Sequence, residues 1–331
     1  MINSNRAQEK LKHASIDIGT NTLRLLIADV DLTGALTPLV YRRAITRLGG
    51  GYTVENGIHQ EAAARTFAAL REFKNVIDDV GVDSVQAVAT SVVRRAVNSE
   101  WLLKEVEKRT GIKISIISGD EEARLSLLGV LSVLHDQSHR RLVMDIGGGS
   151  TEFIATQGGS VSGAWSMEMG VVHLTERHLK TDPPTQSEIN ELEGEIRGVI
   201  ADVKRRMIEA GVQPDMYGTA GKAVFVGTAG TITTLAAIDQ GLEKYDRLKI
   251  NNYTLPMSRV RRIYEYLLGL TLNERHVVLS LEKGREDLIV PGCAIAVLAM
   301  EAFGFDSLKV SDAGLLEGVI LKKTGIGARV A

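Results

Sequence analysis

The sequence predicts an α/β protein of two domains, each built on a mixed sheet with helices packed against it. Three observations carry that prediction. A glycine-rich strand-turn-strand unit occurs twice, as Asp17-Ile18-Gly19-Thr20-Asn21-Thr22-Leu23-Arg24 and as Asp145-Ile146-Gly147-Gly148-Gly149-Ser150-Thr151-Glu152. Aligned, Asp17 falls on Asp145, Gly19 on Gly147, Thr22 on Ser150 and Arg24 on Glu152, and similarity at so long a separation argues for two related domains rather than a short-period solenoid. Apolar strand-like runs alternate with amphipathic helical stretches on both sides of the second unit. The chain has 331 residues, long for one core and comfortable for two.

In order, the first hairpin occupies residues 15–30, Thr33-Gly34 makes a turn, 38–43 a strand and 48–51 a glycine loop. The spacing of Ala64, Phe67, Ala68, Val76 and Ile77 predicts a helix over 61–80. A buried strand follows at 85–89, a loop or helix start at 90–95, a helix at 101–109 ended by Gly111, and a strand at 112–117. Residues 121–134 form a helix with Ala123, Leu127, Val130, Leu131 and Leu134 inward, and the chain crosses between domains on it. The second half repeats the plan: a strand at 164–169, a loop and short helix at 170–180, and a break at Asp182-Pro183-Pro184. A long helix follows at 188–210, then a strand at 223–226 running through Gly227-Thr228-Ala229-Gly230-Thr231 into a helix at 232–238. Helices at 258–268, 273–279 and 294–303, a strand at 308–310 and a helix at 314–322 complete the chain. The expected division is domain I at 1–124, domain II at 125–309, and a segment from about 310 to 331 returning to domain I. No low-complexity stretch separates the halves, so helices rather than a tether join them.

Composition excludes several classes. Net charge is −2 with no basic block, which argues against generic binding to DNA, RNA or an anionic membrane. No apolar stretch reaches the ~18 residues of a membrane span. The lone Cys293 forms no internal disulfide, no apolar run follows Met1, and a cytoplasmic setting is expected. Cys293 sits among apolar neighbours, as a buried core thiol does. His135 and His139 lie four apart without a third ligand nearby, and Lys204-Arg205-Arg206 reads as a solvated helix face or as a track for a polyanion.

The two hairpins carry the chemistry. Three consecutive glycines let their N–H groups converge on an anion, with Ser150 and Thr151 adding hydroxyls. Asp145 and Glu152 flank the second turn, and Mg²⁺ favours one or two carboxylates with water and phosphate oxygens. A glycine hairpin with its acids in solvent is the plainer alternative. Arg24 puts a bidentate phosphate fork where the second copy has an acid. The strand, small-residue loop and helix start at Gly227 and Thr228 make a third anion cradle.

These features resemble the actin, sugar-kinase and chaperone-ATPase superfamily, and within it the exopolyphosphatase/guanosine pentaphosphate phosphatase family. The resemblance rests on residues 17–24, Ala89-Thr90-Ser91-Val92-Val93-Arg94-Arg95-Ala96-Val97-Asn98, Ser118-Gly119-Asp120-Glu121-Glu122-Ala123-Arg124-Leu125, residues 145–152, Met169-Gly170-Val171-Val172-His173-Leu174-Thr175-Glu176, Gly227-Thr228-Ala229-Gly230-Thr231 and Arg285-Glu286-Asp287-Leu288-Ile289-Val290-Pro291-Gly292. These blocks span nearly the whole chain in family order. The resemblance implies two actin-like (ribonuclease H-like) domains with an active-site cleft between them. It implies hydrolysis of a terminal phosphoanhydride of inorganic polyphosphate or guanosine pentaphosphate. Gly19, Thr20, Asn21, Thr22, Arg24, Arg94, Gly147, Gly148, Gly149, Ser150, Thr151, Gly227 and Thr228 would hold phosphate. Asp145, Glu152 and, from the other domain, Asp17 would hold Mg²⁺ or Mn²⁺, directly or through water. Glu122 is the family-matched base; its plainer role is an acid stabilising a helix dipole by ~0.3–1 kcal/mol. Arg94 is otherwise a surface arginine. Two departures are visible. The family often carries an arginine where this chain has residues 314–318, so no ligand role is expected there. Longer members add a helical carboxy-terminal domain associated with long polyphosphate, and this chain stops at Ala331, which weakens an expectation of processive attack. A kinase of the same superfold and a non-enzymatic nucleotide sensor are the rival readings. A two-fold homodimer is the commonest assembly for such a chain.

Overall fold

Aliphatic runs on either side of Gly19 form β1 (Leu11–Ile18) and β2 (Thr22–Val30), antiparallel partners whose register sets Asp17 opposite Arg24. The computed structural model describes residues 11–31, 35–281 and 283–325, so the turn expected at Thr33-Gly34 lies outside the described residues. β3 (Leu36–Ile45) pairs with β2. In α1 (Gln60–Val80), Ala63, Thr66, Phe67, Leu70, Phe73 and Ile77 form one buried stripe, and Gly81 ends the helix at φ 69°. There follow β4 (Ser84–Ala89), α2 (Ser91–Arg95), α3 (Ser99–Thr110) and β5 (Ile114–Ile116). The sheet order is β3-β2-β1-β4-β5, with β4 parallel to both β1 and β5.

The next helix, α4 (Gly119–Val133), opens the second half. It is followed by β6 (Arg140–Ile146), β7 (Thr151–Gln157), β8 (Ser160–Met167), α5 (Val171–His178) and α6 (Gln186–Glu209). Then come β9 (Val224–Thr228), α7 (Ala229–Asp239), α8 (Arg247–Ile250), β10 (Thr254–Pro256), α9 (Met257–Leu268) and α10 (Leu272–Arg275). The last elements are α11 (Ile289–Phe303), β11 (Ser307–Val310) and α12 (Leu315–Lys323). The sheet runs β10-β11-β9-β6-β7-β8. Taken as β8-β7-β6-β9-β11, it repeats the first sheet strand for strand, with the same antiparallel and parallel pairings. The similarity seen in two hairpins therefore extends to whole sheets, with β10 as an addition.

The chain divides into two units, one up to Ser118 and again from Leu315, the other Gly119–Gly314. The division runs ahead of α4 rather than at residue 124, because Ala123, Leu127 and Val130 of α4 pack with Val143, Ile154 and Val226 of the second sheet. In the first unit, Leu316 and Ile320 of α12 cover Leu26, Ala28 and Val30. The largest core lies in the second unit around α11, which is buried from Ile289 through Met300, as an apolar helix enclosed on all sides must be. Among the described residues no helix is long and apolar enough to cross a membrane.

Three elements differ from expectation. β8 starts at Ser160, ahead of 164, because Gly158 (φ 61°) and Gly159 (φ 87°) form a tight left-handed turn that brings the chain straight back along β7. α11 starts at Ile289 rather than 294, and takes Pro291 in its first turn, where the missing N–H has no intrahelical partner to lose. The helix expected over 273–279 is only the four-residue α10, and buried Arg275 at its end donates to the carbonyls of Leu267 and Glu286.

Two measurements check this packing. A Cβ on Gly129 of α4 would lie 1.8 Å from the Gly314 carbonyl oxygen. Gly129→Ala therefore destabilises the protein by about 1–3 kcal/mol through overpacking, exceeding the ~1 kcal/mol alanine adds to a helix, as read by urea unfolding. Burial pushes the Cys293 thiol up to about 12. The native protein accordingly leaves an aromatic disulfide reagent unreacted at neutral pH, and the urea-unfolded protein reacts fully.

Candidate active site

In the first unit the turn after β1 closes with the Gly19 N–H donating to the Thr22 carbonyl at 3.1 Å, and a Cβ at Gly19 would stand 3.0 Å from that oxygen. The Thr20 carbonyl accepts from Gly49 N–H (2.8 Å), and the Asn21 carbonyl accepts from Thr46 and Arg47 N–H (3.1 and 2.9 Å). The turn carbonyls are thus drawn toward the 46–49 segment. Thr20 Oγ1 and Asn21 Oδ1 are buried without a hydrogen-bond partner. Buried polar atoms of this kind mark a place for water or a polar ligand. Arg24 donates Nε and Nη2 to a single oxygen, Asp17 Oδ2, at 2.8 and 2.6 Å. Asp17 was expected to hold metal, but in this arrangement its charge is balanced by a guanidinium. Arg94, on α2, donates Nη1 to the Ile117 carbonyl at 2.8 Å, while Arg95 lies over the Tyr52 ring at 5.5 Å.

In the second unit the corresponding turn closes the same way: Gly147 N–H donates to the Ser150 carbonyl at 2.9 Å, and a Cβ at Gly147 would stand 2.9 Å from it. Asp145 stands opposite Glu152 on β7, beside Thr228 on β9, and Glu152 stands opposite Ser166 on β8. Thr228, Asp145, Glu152 and Ser166 therefore make one row across four strands. Residues two positions away in each strand, Val226, Val143, Ile154 and Ala164, pack under α4, so the row faces the same side. Like charges directly opposite on neighbouring strands are unfavourable. Each carboxylate here receives a hydroxyl: Ser126 of α4 donates to Asp145 Oδ2, and Ser166 donates to Glu152 Oε1 at 2.7 Å. Glu122 lies four residues before Ser126, on the same stripe of α4 one turn nearer its start.

The equivalent row in the first unit is Val88, Asp17, Arg24 and Arg43. One sheet thus presents two arginines and one carboxylate where the other presents two carboxylates and two hydroxyls. The second row suits a hard divalent cation that keeps part of its water. No group of three or more His, Cys, Asp or Glu placed to hold a metal occurs among the described residues.

Two residues expected to offer hydroxyls to phosphate have other work. Thr151 is 0% exposed and donates its hydroxyl to the Met169 carbonyl. Thr228 is buried and donates to the Ala313 carbonyl at 3.1 Å. Both hydroxyl protons are engaged in fixing loops. Gly148 and Gly149 are pressed against Gly170, whose Cβ would fall 2.3 Å from their backbone. The first N–H groups of α5, on Val171 and Val172, donate to the carbonyls of Gly147 and Gly148 (3.1 and 2.9 Å), so this helix start is capped by the glycine turn itself. At the third loop Ala229 adopts φ 68°, and the Arg285 guanidinium lies where a Cβ of Gly230 would be. The Lys204-Arg205-Arg206 triplet is a paired face: Arg205 and Arg206 bind Asp202, Arg205 also Glu209, and Lys204 caps the Ala302 carbonyl. Sequence reasoning missed Ser126, Ser166 and the placement of Arg285. Only Ser126 left a signal, its four-residue spacing from Glu122.

A sequence model of the Ppx/GppA phosphatase family matches residues 26–325. Exopolyphosphatase 2 of Mycobacterium tuberculosis is 32% identical over 327 residues, covering 94% of this chain and 98% of its own length. Among solved structures, the Aquifex aeolicus Ppx/GppA family member is similar at 32% identity and a TM-score of 0.78, covering 95% of this chain and 97% of that one. A Cytophaga hutchinsonii exopolyphosphatase is similar at 27% identity and a TM-score of 0.85, covering 96% and 98%. The actin-like α/β architecture expected from the sequence is the fold observed.

The engaged hydroxyl of Thr151 is directly testable. Thr151→Val leaves the Met169 carbonyl without its donor and lowers stability by about 1–3 kcal/mol in chemical denaturation.

Proposed function

The chain belongs to the Ppx/GppA phosphatase family, and we propose that it removes the terminal phosphate of inorganic polyphosphate or guanosine pentaphosphate by metal-assisted attack of water. Family membership supports the coarser statement, a hydrolase acting on the phosphoanhydride bonds of polyphosphate. The observation that carries the finer reading is the opposed pair Asp145 and Glu152, with Glu122 on the helix over the same sheet face.

Asp145 and Glu152 would hold Mg²⁺ or Mn²⁺. When bound, the cation supplies neutralising charge for the phosphate oxygens and the departing bridge oxygen. Each turn offers phosphate its own cradle, Gly19, Thr20, Asn21 and Thr22 in the first unit, where Arg24 and Arg94 add positive charge, and Gly147, Gly148, Gly149 and Ser150 in the second. The orphaned Thr20 hydroxyl supports this role for the first turn. Gly227 contributes backbone at the third loop.

Glu122 accepts the proton of the attacking water as its oxygen bonds to the terminal phosphorus. The bond from that phosphorus to the bridging oxygen breaks, orthophosphate leaves, and the substrate is one phosphate shorter. The fold itself does not separate polyphosphate from the guanosine nucleotide, because both present the same terminal anhydride to these groups.

The deciding assay measures phosphate release with Mg²⁺ from short polyphosphate, long polyphosphate, guanosine pentaphosphate and ATP in parallel. Release from any of the first three supports the reading. Turnover of ATP only with an added acceptor points to a kinase, and binding without release to a sensor; either outcome overturns it. Glu122→Gln lowers turnover by about 10²–10⁴-fold with substrate binding retained, the loss typical of a missing general base. Asp145→Asn lowers the rate and also raises the Mg²⁺ concentration needed for half-maximal activity; a variant with the parent's metal response would place the cation elsewhere.

A further inference from the structure

The aspartates at equivalent positions in the two sheets are held by chemically different donors. Asp17 Oδ2 receives Nε and Nη2 of Arg24, a full positive charge, whereas Asp145 Oδ2 receives the neutral hydroxyl of Ser126. A guanidinium cancels the carboxylate's charge and competes with a second cation. A hydroxyl fixes the carboxyl plane without adding a charge of its own.

The Ser126 hydroxyl is itself held in place. Ser126 is 0% exposed, and a Cβ on Gly314 would lie 3.4 Å from both its Oγ and Thr228 Oγ1. Three residues further along α4, Gly129 seats so closely against the Gly314 carbonyl that a Cβ there would lie 1.8 Å from its oxygen. One turn before Ser126 on the same stripe stands Glu122.

We propose that Ser126 is a positioning residue that orients the Asp145 carboxylate for the divalent cation and ties the helix bearing Glu122 to the carboxylate row. The inference rests on the hydrolase reading for its catalytic consequence, but its central claim concerns cation binding and is measured without turnover. Loss of the hydroxyl removes one of the contacts that order the carboxyl group, so the cation meets a less ordered ligand.

The test is Mn²⁺ affinity of the intact chain, by calorimetry or water-proton relaxation, for the parent, Ser126→Ala, Ser132→Ala, Asp145→Asn and the double variant Ser126→Ala/Asp145→Asn. Ser132 donates at 2.7 Å to the Gly129 carbonyl of its own helix, so its substitution controls for loss of a helix hydroxyl. Ser126→Ala is expected to weaken Mn²⁺ binding by about 10–100-fold, the range seen when a ligand's supporting hydrogen bond is lost, with a cooperative urea transition retained. Ser132→Ala retains the parent's affinity. In the Asp145→Asn background Ser126→Ala adds no further loss, because it acts through that carboxylate. Unchanged affinity in Ser126→Ala, an undiminished further loss in the double variant, or no Mn²⁺ binding by the parent overturns the proposal. Mn²⁺ binding that depends on Ser126, from a parent that releases no phosphate from any substrate, overturns the hydrolase reading instead.

Discussion

Two carboxylates held opposite each other on neighbouring strands repel, and the second unit is arranged around that constraint. Asp145 and Glu152 are forced together by the register of β6 and β7, which is set by a turn that closes on Gly147 and Ser150 and leaves no room for a Cβ at Gly147. A slip of one residue would turn every side chain of β7 to the other face. The repulsion is offset from above by Ser126 and from the side by Ser166. The first of these requires α4 to lie close over the sheet. Its apolar stripe and the Gly129–Gly314 contact are what hold it there.

The two sheets use one design for different electrostatics. Strand order, pairing sense and the hydrogen bond closing the turn are repeated, yet the residue after the turn changes from Arg24 to Glu152 and its outer neighbour from Arg43 to Ser166. In the first row a carboxylate faces a guanidinium, with a second arginine as the outer neighbour. In the second row two carboxylates each receive a neutral hydroxyl.

Several small and hydroxylic residues in the glycine-rich loops prove to be structural supports. Thr151 and Thr228 each fix a backbone carbonyl, and Gly170 admits the turn of Gly148 and Gly149 against the start of α5. Engaging these groups stiffens the turn, and a stiff turn presents its N–H groups to an anion without reordering when one binds.

Much of this was legible in the sequence because it depends on local chemistry. The repeated Asp-Gly hairpins, the alternation of strands and amphipathic helices, and the glycines that the turns require are properties of short stretches, and they determined the α/β architecture and located Asp145 and Glu152, whereas Glu122 was singled out by the family resemblance. Even the early start of β8 was written in Gly158-Gly159. What the tertiary structure alone decided is which donor reaches which acceptor. Ser126 and Asp145 are separated by 19 residues, Ser166 and Glu152 by 14, and Thr228 and Ala313 by 85. Residue types announce a capacity to hydrogen-bond, whereas the partner is chosen by strand register and helix placement. For that reason the hydroxyls of Thr151 and Thr228 look like ligand donors in sequence and donate to backbone carbonyls in the fold, while Ser126 looks ordinary in sequence and donates to the carboxylate row.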